Sequence, residues 1–175
     1  MRKSVQFLLL FLMCISASWT WASDAPERTV LFNMGDYDSQ YWRIPALVTA
    51  ADNSLVAVVD KRGSSLGDLP NTISIMSRRS TDNGKNWSEP VVVAQGGNGK
   101  TYGDPAVVLD KKTGNLICMF VGDQGLWNAT PYNRQGIYVS KSTDNGVSWS
   151  EPVAITDQVY ANHSSWYAGF AGSGH

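Results

Sequence analysis

Two segments of the chain, residues 80–91 and 142–153, are nearly identical, and this repeat restricts the fold more than any other feature. Both read Ser-Thr-Asp-Asn-Gly, then two variable residues, then Trp-Ser-Glu-Pro-Val, and they begin 62 residues apart (142 − 80). Two pairs of upstream segments recur at nearly the same offset, namely 44–48 with 104–108 and 55–59 with 116–120. The repeated unit is therefore about 60 residues long, and a unit of that size indicates a repeat architecture.

Each unit contains four short β-type segments separated by turn residues. The predicted strands are 43–50, 54–61, 72–79 and 90–94 in the first unit, and 104–110, 115–122, 136–141 and 152–155 in the second. No stretch shows sustained helical periodicity, so the predicted class is all-β. A recurring four-stranded unit is typical of a blade of a β-propeller.

The repeated segments, called boxes below, have a structural explanation in each copy. An aspartate side chain can accept backbone N–H bonds across a tight turn, a glycine permits positive φ, and a tryptophan can fill the space between neighbouring sheets. These residues are Asp82, Gly84 and Trp87 in the first box, and Asp144, Gly146 and Trp149 in the second. The boxes resemble the Asp boxes of sialidases, S-x-D-x-G-x-x-W. They predict the fold, and we assign them no catalytic role.

Charge and composition exclude several classes of function. The formal net charge is −1 and no basic run follows residue 3, which argues against a nucleic-acid surface. His163 and His175 form no metal-ligand cluster, and no phosphate-binding glycine loop is evident. We therefore expect neither a cofactor nor a metal. Cys118 lies in an apolar run and is expected to be a buried, unreactive thiol.

The amino terminus has the layout of a secretory signal peptide. Arg2 and Lys3 precede an apolar run over 7–15, and small residues follow up to Ala22. The apolar run is short for a membrane span. We expect cleavage after Ala22, a mature chain of 23–175 without a membrane span, and a secreted or periplasmic location. That mature chain has Cys118 as its single cysteine, which excludes an intramolecular disulfide.

The segment Tyr41-Trp42-Arg43-Ile44-Pro45 resembles the Tyr/Phe-Arg-Ile-Pro signature of bacterial exo-α-sialidases. The resemblance implies a six-bladed propeller, which at this repeat needs roughly 370 residues. Residues 23–175 would then be an incomplete amino-terminal part with two to three blades. Because two blades cannot close a ring, the chain by itself is expected to be inactive.

The same resemblance implies a role for two arginines. In the family Arg43 would be one of three arginines that clamp the carboxylate of sialic acid, and Arg62, nineteen residues later (62 − 43), would be the second. A planar guanidinium can hold a carboxylate through two parallel hydrogen bonds, which lysine cannot do.

Asp68 stands six residues after Arg62 (68 − 62), at the family position of the acid/base aspartate. It would protonate the leaving glycosidic oxygen and then activate water. The alternative for Asp68 is an exposed turn carboxylate without a catalytic role.

The repeat itself brings a further aspartate toward the same place. Asp104 begins a strand in the second unit nearly where Arg43 begins one in the first, so both should face one opening. In the family, the position of Asp104 hydrogen-bonds a hydroxyl of the sugar ring. Trp127 could stack on the sugar or its aglycone, or could simply pack within its loop.

The sequence therefore predicts an exo-α-sialidase that acts with retention on sialylated glycans. The family's Tyr/Glu nucleophile pair and third arginine belong to later blades, and no nucleophile is assigned in this chain. Two alternatives stay open, a non-catalytic carbohydrate-binding propeller and a trans-sialidase. Linkage preference, source and oligomeric state are not indicated by the sequence.

Overall fold

The computed structural model describes residues 28–161, 163 and 165–169. The predicted signal peptide, 1–22, lies outside the described residues. Among those residues no helix is long and apolar enough to cross a membrane.

The first blade is a four-stranded antiparallel sheet in the order β1-β2-β3-β4. Its strands are β1 (Trp42–Thr49), β2 (Leu55–Lys61), β3 (Ser74–Ser80) and β4 (Val91–Ala94). Residues 56–60 of β2 are all buried, because this strand is covered on both faces.

The second blade repeats that order as β5-β6-β7-β8. Its strands are β5 (Tyr102–Leu109), β6 (Leu116–Gly122), β7 (Gly136–Ser142) and β8 (Val153–Ala154). All eight predicted strands are confirmed, with ends that agree within two residues. Cys118 is fully buried and unpaired, as expected.

Three short helical segments were not predicted from the sequence. They are a 3-10 turn at Asp36–Asp38, α1 (Gly125–Asn128) and α2 (Thr156–Tyr160). None exceeds five residues, so none is long enough to produce a helical pattern of apolar residues.

The box turns form as predicted. Oδ1 of Asp82 accepts the N–H of Asn86 at 2.8 Å, and the Ser80 hydroxyl donates to the same oxygen at 2.8 Å. These bonds, that from the Asn86 N–H most of all, lower the pKa of Asp82 to about 2. Gly84 adopts a φ of 86°, which favours glycine.

Trp149 joins the two blades. Its indole packs against the core that both sheets share, and its Nε1 donates to the hydroxyl of Ser77 on β3 at 3.0 Å. Trp87, at the same position in the first box, donates instead to the carbonyl of Gly84 in its own box. The predicted position between sheets is therefore confirmed for Trp149, whereas the hydrogen bond of Trp87 stays within one blade.

Trp149→Ala is expected to lower the free energy of unfolding by about 3 kcal/mol, because it removes apolar contacts in both blades and leaves Ser77 without its donor. The matched change Trp87→Ala should cost only about 1 kcal/mol. Urea denaturation followed by circular dichroism measures both. Equal losses for the two variants would contradict a bridging role for Trp149.

The two ends of the sheets carry different groups of loops. β1 and β5 begin at one end, where the loops 62–73 and 123–135 also lie, and we call this end the mouth. Both boxes lie at the opposite end, called here the box face, with the turns 50–54 and 110–115. The boxes therefore lie away from the mouth, as the strand order requires.

Arg79 forms an ion pair within the first blade and a hydrogen bond to the second blade, both at the box face. Arg79, near the end of β3, pairs with Asp52 at 2.5 Å and donates from Nε to the carbonyl of Asn145 in the second box at 3.0 Å. This pair is remote from the mouth and supplies matched controls for the substitutions discussed below.

The first strand of each blade has a bulge at the mouth. The register shifts between Arg43 and Ala46 in β1, and between Gly103 and Ala106 in β5. At the bulges, Ile44 and Asp104 have φ values of 54° and 56°. Such values are strained for a β-branched residue. The predicted equivalence of the two strand starts is therefore confirmed, and the bulge itself was not predicted.

Candidate active site

Arg43 lies at the mouth near the start of β1. Its side chain is 43% exposed, and Nη1 lies 3.4 Å from Oδ1 of Asp68. The same nitrogen donates to the carbonyl of Leu66 at 3.4 Å. These contacts are long and leave much of the guanidinium accessible, so Arg43 can bind an anion that enters the mouth.

Asp68 lies in the loop 62–73 and is the most exposed carboxylate of the charged cluster at the mouth. Its side chain is 60% exposed, and Oδ1 accepts a hydrogen bond of 2.5 Å from Nη1 of Arg62. Asp68 therefore contacts both Arg43 and Arg62, the two arginines that the sequence placed in the same site.

Arg62 is buried, with 1% of its side chain exposed. Besides Asp68, Nη1 contacts the carbonyls of Leu66 and Gly67 at 3.1 and 3.2 Å. Nε and Nη2 each donate to Asp60. A carboxylate clamp at Arg62 stays a prediction, and a ligand that binds Nη1 would share this nitrogen with Asp68.

Asp60 is a member of the cluster that sequence reasoning missed. Oδ2 accepts from Nη2 and Nε of Arg62 at 2.8 and 3.2 Å, and the side chain is fully buried. Burial raises the pKa of Asp60 above the usual range of a carboxyl group, although the bonds from Arg62 oppose this effect. A signal was present, because a charged residue ends the apolar run 55–59 and stands two residues before Arg62, on the same face of the strand.

Asp104 lies at the bulge of β5, in the neighbouring blade, and is half-buried. Its backbone N–H donates to Oδ1 of Asp60 at 3.2 Å. Burial raises the pKa of Asp104, and the positive charge of Arg62 acts against this. The structure therefore brings Asp104 to the same mouth as the other charged residues.

Trp127 is carried by α1, in the mouth loop of the second blade. Gly125 at the start of α1 lies against Leu69, since a Cβ on Gly125 would be 2.6 Å from the Cβ of Leu69. The loops of Asp68 and Trp127 are therefore neighbours. Trp127 as a whole residue is 80% exposed and lies outside the charged cluster. Its predicted contact with a sugar stays a prediction.

The cluster has the groups needed for acid and base chemistry on an anionic substrate. It contains two guanidinium groups and three carboxyl groups, of Arg43, Arg62, Asp60, Asp68 and Asp104. Arg43 can bind an anion, while the accessible carboxyl of Asp68 can exchange a proton with a ligand or with water. Within residues 28–161, 163 and 165–169, no group of three metal-ligating side chains could hold a metal ion.

Comparison with known families settles the classification. A family described as BNR repeat-like domain matches residues 44–175, which is most of the chain and includes both blades. The chain belongs to the family of BNR repeat-like domains.

Known sialidases are similar to this BNR chain. A sialidase from Bacteroides fragilis is 34% identical over 159 residues, which cover 80% of this chain and 28% of that protein. The solved structure of the Hadza microbial sialidase Hz136 is 32% identical with a TM-score of 0.64, and covers 71% of this chain and 28% of that one. The resemblance to sialidases and the propeller fold are thereby confirmed.

A leech intramolecular trans-sialidase has the same fold. Its structure has a TM-score of 0.72 at 14% identity, with 86% of this chain and 40% of that chain covered. The BNR chain thus spans well under half the length of these three proteins.

Proposed function

We propose that this chain is part of an exo-α-sialidase that hydrolyses terminal sialic acid from glycans with retention. The observation that carries the proposal is the contact at the mouth between Arg43, which can bind a carboxylate, and Asp68, which can exchange a proton. The similarity to sialidases supports it.

In this mechanism Arg43 binds the carboxylate of sialic acid. That carboxylate is attached to the anomeric carbon, so an arginine that holds it also places the glycosidic bond. Arg43 lies 3.4 Å from Asp68, which puts the acid beside the bound carboxylate. We propose the same ligand for Arg62, which would contact it through the nitrogen that now bonds Asp68.

Asp68 acts as general acid and then as general base. It protonates the leaving oxygen while the glycosidic bond breaks, and it removes a proton from water when the enzyme-bound sugar is released. Its 60% exposure gives both the glycosidic oxygen and water access to the carboxyl group. We assign the nucleophile to no residue of this chain.

Asp104 and Trp127 are proposed to contact the rest of the ligand. Asp104 would accept a hydrogen bond from a ring hydroxyl, because its carboxyl group lies at the mouth beside Arg62. Trp127 would stack on the sugar or on the aglycone, since it is exposed on the loop next to that of Asp68.

The proposed substrates are sialylated glycoproteins, glycolipids and oligosaccharides. Glycans of this kind lie outside the cytoplasm, and the amino-terminal pattern of Arg2, Lys3 and the apolar run 7–15 supports export. We therefore propose a secreted or periplasmic enzyme.

The test uses the complete protein that contains this chain, incubated with sialyl-lactose and followed by proton NMR. Release of α-sialic acid as the first product is expected for hydrolysis with retention. Binding without turnover would identify a carbohydrate-binding propeller instead. Transfer of the sialyl group to an added acceptor, or its release as an internal anhydride, would identify a trans-sialidase.

A further inference from the structure

The carboxylate of Asp60 is buried in the wall of the proposed active site and touches both blades. One of its oxygens accepts two bonds from Arg62, and the other accepts the backbone N–H of Asp104. Its side chain has no exposed surface, so Asp60 cannot itself meet a substrate.

The second blade shows what the fold alone requires at this position. Asp60 pairs with Arg43 across the bulge of β1, and Val121 pairs with Gly103 across the bulge of β5. Val121 is also fully buried. A blade therefore forms with valine where the first blade has a charged residue.

A buried ion pair is also a poor way to stabilise a sheet. Removing two charges from water costs several kcal/mol per ion, and apolar residues of similar size often serve as well or better. Because Val121 fills the equivalent site, the stability of a blade does not account for a charged residue at position 60.

The ion pair between Asp60 and Arg62 instead determines how Arg62 contacts Asp68. Arg62 contacts Asp60 through Nε and Nη2, which fixes the plane of the guanidinium and directs Nη1 to Oδ1 of Asp68 at 2.5 Å. The exposed carboxyl of Asp68 is thus held by a buried arginine, which is itself held by a buried carboxylate. Through its other oxygen, Asp60 also fixes the backbone at Asp104.

We propose that Asp60 is a positioning residue, which acts through Arg62 to hold Asp68 in place for proton transfer and through a backbone bond to place Asp104. The proposal rests on the proposed sialidase function. It assigns Asp60 an effect on the geometry of catalysis rather than on the fold.

The test compares the complete protein with its Asp60→Asn variant on two substrates, sialyl-lactose and 4-nitrophenyl sialoside. Asparagine keeps the size of the side chain but loses the charge that orients Arg62. Displacing a catalytic group by about 1 Å can cost about 10²-fold in rate, so kcat on sialyl-lactose should fall by about that factor. The nitrophenyl substrate should lose much less, because its leaving group needs little protonation.

Asp52→Asn is the matched control, since Asp52 also pairs with an arginine of the same blade, but at the box face. It should leave both rates unchanged. If Asp60→Asn did not fold, Asp60→Glu would keep the charge beside Arg62 but displace the carboxylate by one methylene group, and a substrate-dependent loss of the same kind is expected.

The outcomes separate the inference from the function on which it rests. If the unmodified protein released no sialic acid from either substrate, the proposed function would fail and the positioning role with it. If it were active and Asp60→Asn lost equal activity on both substrates, or lost none, only the positioning role would be overturned.

Discussion

Replacing Asp68 by alanine in the complete protein is expected to lower hydrolysis of sialyl-lactose by about 10²–10⁴-fold, the usual contribution of a positioned general acid. The lactose oxygen is strongly basic as it leaves, so the glycosidic bond breaks slowly without a proton donor. Asp68 is the exposed carboxyl beside Arg43, and in the proposed mechanism it is the group that reaches that oxygen.

The size of the loss should depend on the leaving group. An acidic phenol can depart without a proton, so a nitrophenyl sialoside should retain far more activity in Asp68→Ala than sialyl-lactose does. The remaining loss on the phenyl substrate reflects slower activation of water in the second step. Steady-state rates on both substrates, measured on one folded preparation, give this ratio.

Asp110→Ala provides the control for Asp68→Ala. Asp110 is also a turn aspartate, but it lies at the box face, where it accepts bonds from Lys112 and Thr113. It should leave both rates unchanged. Equal losses on the two substrates in Asp68→Ala would show that Asp68 binds or shapes the site, and no loss would make it an ordinary exposed turn residue.

Arg43→Lys should weaken binding of substrate and of a planar sialic-acid analogue while the positive charge remains. Lysine cannot form the two parallel bonds that a guanidinium makes to a carboxylate, and the loss should be about 1.5–3 kcal/mol. That corresponds to roughly a 10- to 150-fold increase in the dissociation constant. Isothermal titration with the analogue measures it directly.

Arg79→Lys is the matched control for Arg43→Lys. Arg79 is likewise paired with an aspartate of the first blade, but at the box face. Its replacement should leave affinity for the analogue unchanged. Unaltered binding by a folded Arg43→Lys variant would remove Arg43 from the carboxylate site.

The ends of the strands could be predicted closely because the sequence pattern of the first blade is repeated in the second. Each box supplies a turn at a known position, and the apolar runs 55–59 and 116–120 mark the second strand of each blade. The short helix α1 left no comparable signal, since its four residues are too few for a periodic pattern.

The charged residues of the site were found by motif, but their connections were not. Spacing from Arg43 located Arg62 and Asp68, and the structure shows Asp68 in contact with both arginines. Spacing does not show whether an arginine faces solvent or its own chain, and Arg62 is buried and bonded to Asp60. That depends on how the loop 62–73 folds back, which is set by tertiary packing.

The bulges of the first strands are a second feature that the sequence did not predict. Ile44 and Asp104 interrupt the hydrogen-bond ladder with positive φ. A β-branched residue gives no indication of such a conformation, because its own preference opposes it. The dipeptide Pro-Ala follows both Ile44 and Asp104, and it was the one sequence feature that the two bulges share.

The bond between Asp60 and the neighbouring blade has a consequence for sequence drift at position 104. Asp60 accepts a main-chain N–H there, and every amino acid except proline supplies one. Among residues that tolerate the positive φ of this position, the side chain at 104 can therefore change without loss of this bond. Under the proposed function, the sugar contact at position 104 and the support of Asp68 depend on different groups, one on a side chain and the other on the main chain.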